Sequence, residues 1–227
     1  MANRLYSFLL PLLVLLNVSC SEAKSDVSEA ADSENAQPLA NTDTTGLATA
    51  TFSGGCFWCT EAYFERLQGV KAVISGYAGG TGKNPTYQQV SAGRTNFAES
   101  VQVYYNPEQI TYQELLEVFF ATHDPTTLDR QGHDVGHQYR SIVFYRTPEE
   151  QQLIKNYIKQ LNDADTFKNK IVTEVKPFVK FWEAEEYHQD YYKRNPNDPY
   201  VQAVAIPKVQ KFEEHFQNKL KPEYRAE

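Results

Sequence analysis

The sequence predicts one domain of mixed architecture, α+β or α/β, with helices packed on a mixed sheet. Three observations carry this. Short β-rich runs alternate with stretches at helical spacing, but their order is not a clean strand–helix–strand repeat. No internal repeat is visible that would point to a solenoid or propeller. The 227 residues are 41% hydrophobic, enough to bury a sizeable core in one domain or two small ones.

The first twenty residues stand apart from that pattern. Arg4 precedes an uncharged run from Leu5 to Val18, shorter than the roughly 20 apolar residues a membrane span needs and suited to the apolar core of an export signal. Cys20 follows Ser19 directly after the run, an arrangement that resembles the cleavage box of bacterial lipoproteins, where the cysteine is acylated. Asn17 stands where that box usually has Leu, so plain cleavage near Ser19 or Ser21 is the alternative. Residues 21–48 carry six acids against the single base Lys24, and no aromatic residue. Such a segment cannot offset its ordering entropy by burial and is expected to be a disordered acidic tether. The chain is therefore expected to be exported and membrane-anchored through Cys20, facing the periplasm or the exterior. The net charge is −7, which leaves no uniform basic field for nucleic acid.

Along the domain, 49–227, Ala48–Ser53 reads as a strand ending at Gly54-Gly55. Cys56–Leu67 has helical spacing with Gly69 as its stop, and Val70–Tyr77 is strand-like. Gly79–Pro85 is a loop, Thr86–Val90 a short helix, and Glu99–Tyr105 an alternating strand before Asn106-Pro107. Thr111 with Glu114 three residues on is a capping box, so Thr111–Thr122 is a helix. His123–Gln138 is a polar loop and Tyr139–Tyr145 a strand. Thr147-Pro148 starts a helix through about Leu161. Lys170–Phe178 is a strand that Pro177 places at an edge. Helices are expected near Ala184–Lys193 and Pro207–Leu220.

Three cysteines, Cys20, Cys56 and Cys59, are too few for a disulfide scaffold. Cys56-Phe57-Trp58-Cys59 lies between a strand and a helix. A thiolate at a helix N-terminus is stabilised by free backbone N–H groups and the helix dipole, and cysteines three apart can pair. The pattern points to redox or nucleophilic sulfur chemistry. A thioredoxin-like disulfide oxidoreductase fits the strand, C-x-x-C, helix order, although that fold usually places Trp before the first cysteine. Zinc held by Cys56, Cys59, His133 and His137 is weaker, because the gap between the pairs far exceeds a zinc finger's. A tethered adhesion or metal-binding module is the non-enzymatic alternative. Fifteen Tyr against one Met suggest a Tyr-rich surface or pocket.

The motifs GGCFWC-TE, GYAGG, NPTYQQV, AESVQVYYNP, FFATHDPT, DRQG-D-G-QYRSIVFY and AEEYHQDYY occur in order over about 48–195. Together they resemble the peptide-methionine (S)-S-oxide reductases, the A-type methionine sulfoxide reductases. The resemblance implies an α+β fold, a two-layer mixed sheet flanked by helices with a ferredoxin-like core. It implies thiol-dependent reduction of the S epimer of methionine sulfoxide, free or in proteins, as repair of oxidised methionine. No cofactor is bound; an external thioredoxin-like reductant is implied, and a monomer is expected. By position, Cys56 is the nucleophile that becomes a sulfenic acid, Glu99 the acid, Tyr87 and Tyr139 hydroxyl donors to the sulfoxide oxygen, and Asp134 a loop residue that fixes hydrogen bonds. Phe57 and Trp58 match the walls around the substrate methyl. Three departures stand out: Cys59 replaces the usual Gly, no cysteine follows it, and His133 and His137 stand where Asn and Thr are common. The first two imply that Cys59 resolves the sulfenic acid as a Cys56–Cys59 disulfide.

Overall fold

The computed structural model describes residues 44–226. The expected signal, Cys20 and nearly all of the expected tether lie outside them. Strand β1 (Ala48–Ser53) leads through Gly54-Gly55 into helix α1 (Phe57–Glu65). Gly55 has φ +94, and a Cβ there would meet the Gln131 side chain at 2.9 Å, so the turn admits glycine and little else. Strand β2 (Val70–Ala78), short helix α2 (Tyr87–Ser91) and strand β3 (Ala98–Tyr105) follow. Helix α3 (Tyr112–Thr122) starts on the expected capping box, with Thr111 and Glu114 bonding reciprocally. The chain continues through β4 (Arg130–Gln131), β5 (Asp134–Val135), β6 (Ile142–Tyr145), α4 (Pro148–Asp163), β7 (Glu174–Pro177), β8 (Phe181–Glu183), α5 (Tyr191–Arg194) and α6 (Ile206–Phe216).

Six strands form one sheet in the order β7-β6-β1-β3-β2-β8, with β4 and β5 a separate ladder. The pairs β6–β1, β1–β3, β3–β2 and β2–β8 are antiparallel and β6–β7 is parallel, so the domain is α+β with a mixed sheet. Pro177 does sit on an edge strand, where its missing N–H costs no ladder bond. Strand β1 is half-exposed at its start and fully buried from Ala50 to Ser53. The sheet is thus covered on both faces at the end where β1 hands over to α1, and the site forms there. Strand β1 already begins at Ala48, paired with Tyr105, one residue inside the stretch read as tether.

Phe52 joins the layers. Its ring stacks on Phe64 of α1 and on Phe119 of α3, both at 5.1 Å between centroids, and it is fully buried. Truncation removes contacts to two helices at once. Phe52→Ala is expected to lower unfolding free energy by about 3–5 kcal/mol, measurable as a reduced urea midpoint at unchanged slope.

Two local expectations need correction. The strand read over Tyr139–Tyr145 starts only at Ile142, because Gly136 (φ +146) ends β5 and a 3₁₀ turn, His137–Tyr139, follows, closed by Tyr139 N–H donating to the Gly136 carbonyl. The helix expected over Ala184–Lys193 is a 3₁₀ turn (Glu186–His188), a left-handed Asp190 (φ +53) and then α5. Gln189 causes the break: its side chain accepts from Ser75 N–H at 2.9 Å and donates to the Ser75 and Ala184 carbonyls at 3.0 Å. This tertiary bridge to β2 competes with helical continuation. Strand β8 was not foreseen, and α6 is preceded by a π-helical turn, Val201–Ala205.

Candidate active site

Cys56 is the N-cap of α1 and makes no side-chain capping bond, which leaves its sulfur free for chemistry. The capping duty passes to the neighbouring strand: Glu99 Oε2 on β3 accepts from Phe57 N–H at 3.1 Å. Glu99 is 2% exposed. Burial, and then the proximity of Cys56, hold its carboxyl well above the usual carboxylate range against the opposing pull of the Phe57 N–H. The protonated form of this acid is therefore favoured beside the thiol.

The two thiols are free and hydrogen-bonded to each other. Burial pushes the Cys56 thiol up, with the Cys59 contact and charge adding to it, while the Tyr200 hydroxyl and Trp58 N–H oppose. Cys59 is pulled down, chiefly by the hydrogen bond from Cys56. Cys56 is half-buried, whereas Cys59 is 5% exposed and belongs to the core. Of the two, Cys56 is the thiol whose protonated form its surroundings favour.

Both Cys56 and Glu99 line a cavity of about 230 Å³. Phe57 and Trp58 from α1, and Tyr87 from the start of α2, wall one side. Asp134 on β5 and Tyr139 in the 3₁₀ turn line it as well, with Asp198 and Tyr200 from the segment before α6. Burial raises the Tyr87 and Tyr139 hydroxyls above the ordinary phenol value, with Glu99 second, so both are protonated donors at neutral pH. The cavity gathers all seven residues expected to act on or bind the substrate, and Cys59 sits directly behind it. A larger groove, about 460 Å³, between α3 and α4 is lined by Gln113, Gln152, Asn156 and their neighbours and holds no thiol.

Several site residues escaped the reading of the sequence. Tyr200 donates its hydroxyl to Asp134 Oδ2 at 2.9 Å and contacts Cys56. Asp198 accepts from Tyr200 N–H and from the Tyr191 hydroxyl. Glu185 accepts from Tyr87 N–H and the Tyr77 hydroxyl, both at 2.9 Å. His188 accepts from Trp58 Nε1–H at 3.1 Å. The motif AEEYHQDYY held Glu185 and His188 without giving either a role, and the abundance of Tyr did not say which Tyr. His137 Nε2 bonds the Thr95 carbonyl and His133 is exposed. Among the described residues no three His, Cys, Asp or Glu side chains converge as metal ligands, so the zinc grouping has no geometric support.

A model of the peptide methionine sulfoxide reductase family matches residues 48–220, a span that contains every element of this cavity. The chain belongs to the peptide methionine sulfoxide reductase family. It is 53% identical over 176 residues to the peptide methionine sulfoxide reductase MsrA 1 of Rhodopirellula baltica, covering 78% of this chain and 91% of that one. It is 56% identical over 172 residues to MsrA of Haloquadratum walsbyi, covering 76% and 98%. Among solved structures, reduced Mxr1 from Saccharomyces cerevisiae aligns with a TM-score of 0.63 at 36% identity, covering 69% of this chain and 90% of that one. Methionine sulfoxide reductase A of Corynebacterium diphtheriae aligns at 0.61 and 36%, covering 67% and 77%. As a member of this reductase family the chain reduces methionine S-sulfoxide to methionine, and the thioredoxin-like and adhesion readings fall away.

Proposed function

We propose that Cys56 attacks the sulfoxide sulfur while Glu99 protonates the oxygen, and that Cys59 then resolves the product. The observation that carries this is the Glu99–Phe57 N–H bond, which holds a buried, protonated acid next to the nucleophile in one cavity. The sulfur–oxygen bond of the substrate breaks, the oxygen becomes a hydroxyl on Cys56 with the proton from Glu99, the Cys56 thiol proton restores the Glu99 carboxyl, and methionine leaves. Tyr87 and Tyr139 donate to the oxygen. Asp134 acts through its bond with Tyr200. Phe57 and Trp58 hold the methyl, with sulfur–aromatic contact worth about 0.3–1.5 kcal/mol.

Cys59 would then attack the sulfenic acid, forming a Cys56–Cys59 disulfide and releasing water. A thioredoxin-like dithiol protein would reduce that disulfide. The order β6-β1-β3-β2, with α1 and α3 as crossovers, supports a ferredoxin-like core in two layers. The decisive assay supplies dithiothreitol with free methionine S-sulfoxide or R-sulfoxide. Turnover of the S epimer alone is expected, and none with S would overturn the reading. Cys59→Ser is expected to keep one stoichiometric turnover and lose steady-state recycling by thioredoxin. Wild-type recycling in that variant would make Cys59 a bystander.

Export and anchoring through an acylated Cys20 complete the proposal, supported by the apolar run and the acidic stretch after it. The Cys20→Ala protein is expected to leave the membrane fraction. Unchanged fractionation would count against acylation.

A further inference from the structure

Tyr200 enters the cavity from the segment before α6, and attack by Cys56 makes no use of its second sulfur contact. Its backbone is pinned: Asp198 Oδ1 accepts from Tyr200 N–H at 2.9 Å and from Val201 N–H at 3.1 Å. A π-helical turn, Val201–Ala205, begins there, and both of its end residues are fully buried. The phenol hydroxyl donates to Asp134 Oδ2 at 2.9 Å. It is also in hydrogen-bond contact with both sulfurs, Cys56 and Cys59. Burial, and then the two cysteines, push this phenol above its ordinary value, so it carries its proton at neutral pH.

Closing a Cys56–Cys59 disulfide on a sulfenic acid needs two proton movements. Cys59 must lose its thiol proton, and the oxygen on Cys56 must gain one to leave as water. Cys59 is 5% exposed and belongs to the core, so solvent is badly placed to take that proton. The chief pull that lowers Cys59 is its hydrogen bond with Cys56, and the Cys56 thiol proton is gone once the sulfenic acid has formed. Burial then favours the protonated Cys59. Of the side chains in hydrogen-bond contact with Cys59, one is Cys56, the atom under attack, and the other is Tyr200, which also lines the cavity. A hydroxyl has one proton to give and lone pairs to receive another.

We propose that Tyr200 is a catalytic residue of the resolving step, its hydroxyl passing the Cys59 proton to the oxygen that leaves Cys56. The Cys59 sulfur attacks the Cys56 sulfur while its proton moves to the Tyr200 oxygen and the Tyr200 proton moves to the sulfenic oxygen. The S–S bond forms, the S–O bond breaks and water departs. The Cys59 sulfur is oxidised, the Cys56 sulfur is reduced, and Tyr200 ends as it began. Asp134 accepts the hydroxyl at rest, and the new oxygen on Cys56 competes for it once formed. The inference rests on Cys59 being the resolving thiol.

Tyr200→Phe keeps the ring that meets Trp58 edge-on and removes the hydroxyl alone. Reduced full-chain protein is mixed with methionine S-sulfoxide, without thioredoxin, and quenched at intervals. Released methionine reports the reductive step. Mass spectrometry of the peptide holding Cys56 and Cys59 separates the disulfide from sulfenic acid trapped by dimedone. Tyr200→Phe is expected to slow disulfide formation about 10²-fold or more, with methionine release slowed less than about tenfold. The dimedone adduct on Cys56 should therefore accumulate, as in Cys59→Ser. In mixtures of light and heavy water the wild-type disulfide step should depend on deuterium fraction along a curve, since two protons move together, and in Tyr200→Phe along a line. Disulfide formation at the wild-type rate in Tyr200→Phe, or an equal loss in both steps, would overturn the proposal. If the variant does not fold, the wild-type isotope dependence decides, and a straight line counts against the relay. Wild type that releases methionine and forms no Cys56–Cys59 disulfide would remove the resolving role of Cys59 and the relay with it, whereas a disulfide formed alike in both proteins removes the relay alone.

Discussion

Cys56→Ser is expected to abolish sulfoxide reduction, with a fall of at least about 10⁴-fold in the single-turnover rate. A hydroxyl is a far weaker nucleophile toward sulfoxide sulfur than a thiol, and serine oxygen has no counterpart of the sulfenic acid. Among the described residues no other sulfur lines the cavity, since Cys59 is 5% exposed and belongs to the core. Loss of activity should come without loss of fold. Cys56 is an N-cap that makes no side-chain capping bond, and serine is among the preferred N-cap residues. The variant should therefore melt at the wild-type temperature or slightly above it. Rapid-quench detection of methionine, paired with thermal melting, separates the two effects. Residual turnover above about 1% of wild type would move the chemistry to another atom.

Glu99→Gln should lower the reductive step by about 10²–10³-fold, the usual contribution of a positioned general acid. The pH profile gives the sharper test. Glu99 is held well above the usual carboxylate range by burial and then by Cys56, so its working form is the protonated one. The wild-type rate should fall as pH rises through that elevated pKa, and Glu99→Gln should lose this alkaline limb. Stability should fall with rising pH as well. A carboxyl raised in the folded state binds more protons folded than unfolded between the two pKa values. Folding stability therefore declines as pH climbs from the unfolded carboxylate range toward the folded value. Glutamine carries no such penalty, and its carbonyl can still accept from Phe57 N–H. At neutral pH the variant should be slower and more stable. If it is slower and less stable, Glu99 is chiefly a structural cap.

The legible parts of this molecule are those with a local cause. Thr111 and Glu114 announce α3 because a capping box closes within four residues. Gly54-Gly55 before Cys56 announces the tight entry into α1. What was not legible arises between distant segments. Gln189 leaves its helix to fill a backbone slot beside Ser75, 114 residues away, and no propensity encodes that. Tyr200 reaches Asp134 from 66 residues downstream, and among 15 tyrosines nothing local marks it. His133 and His137 drew attention through their spacing, yet exposure and a backbone carbonyl account for them. Spacing along a chain counts ligands without saying whether they converge.

The size of the cavity reaches beyond the enzyme to its clients. About 230 Å³ is below the roughly 300–1,000 Å³ of pockets that hold whole small molecules. It takes one side chain, with the thiol at its base and aromatic rings at its sides. A methionine oxidised inside another protein's core cannot be offered to such a slot while that core stays shut. Its repair then waits on the client, at a rate weighted by how often the damaged segment opens. Oxidation itself makes that methionine polar and loosens its packing, so the lesions that most disturb a fold are also the ones most often presented. Triage among damaged sites is thus carried out by the damaged proteins, and the enzyme needs no recognition of sequence to repair the worst first.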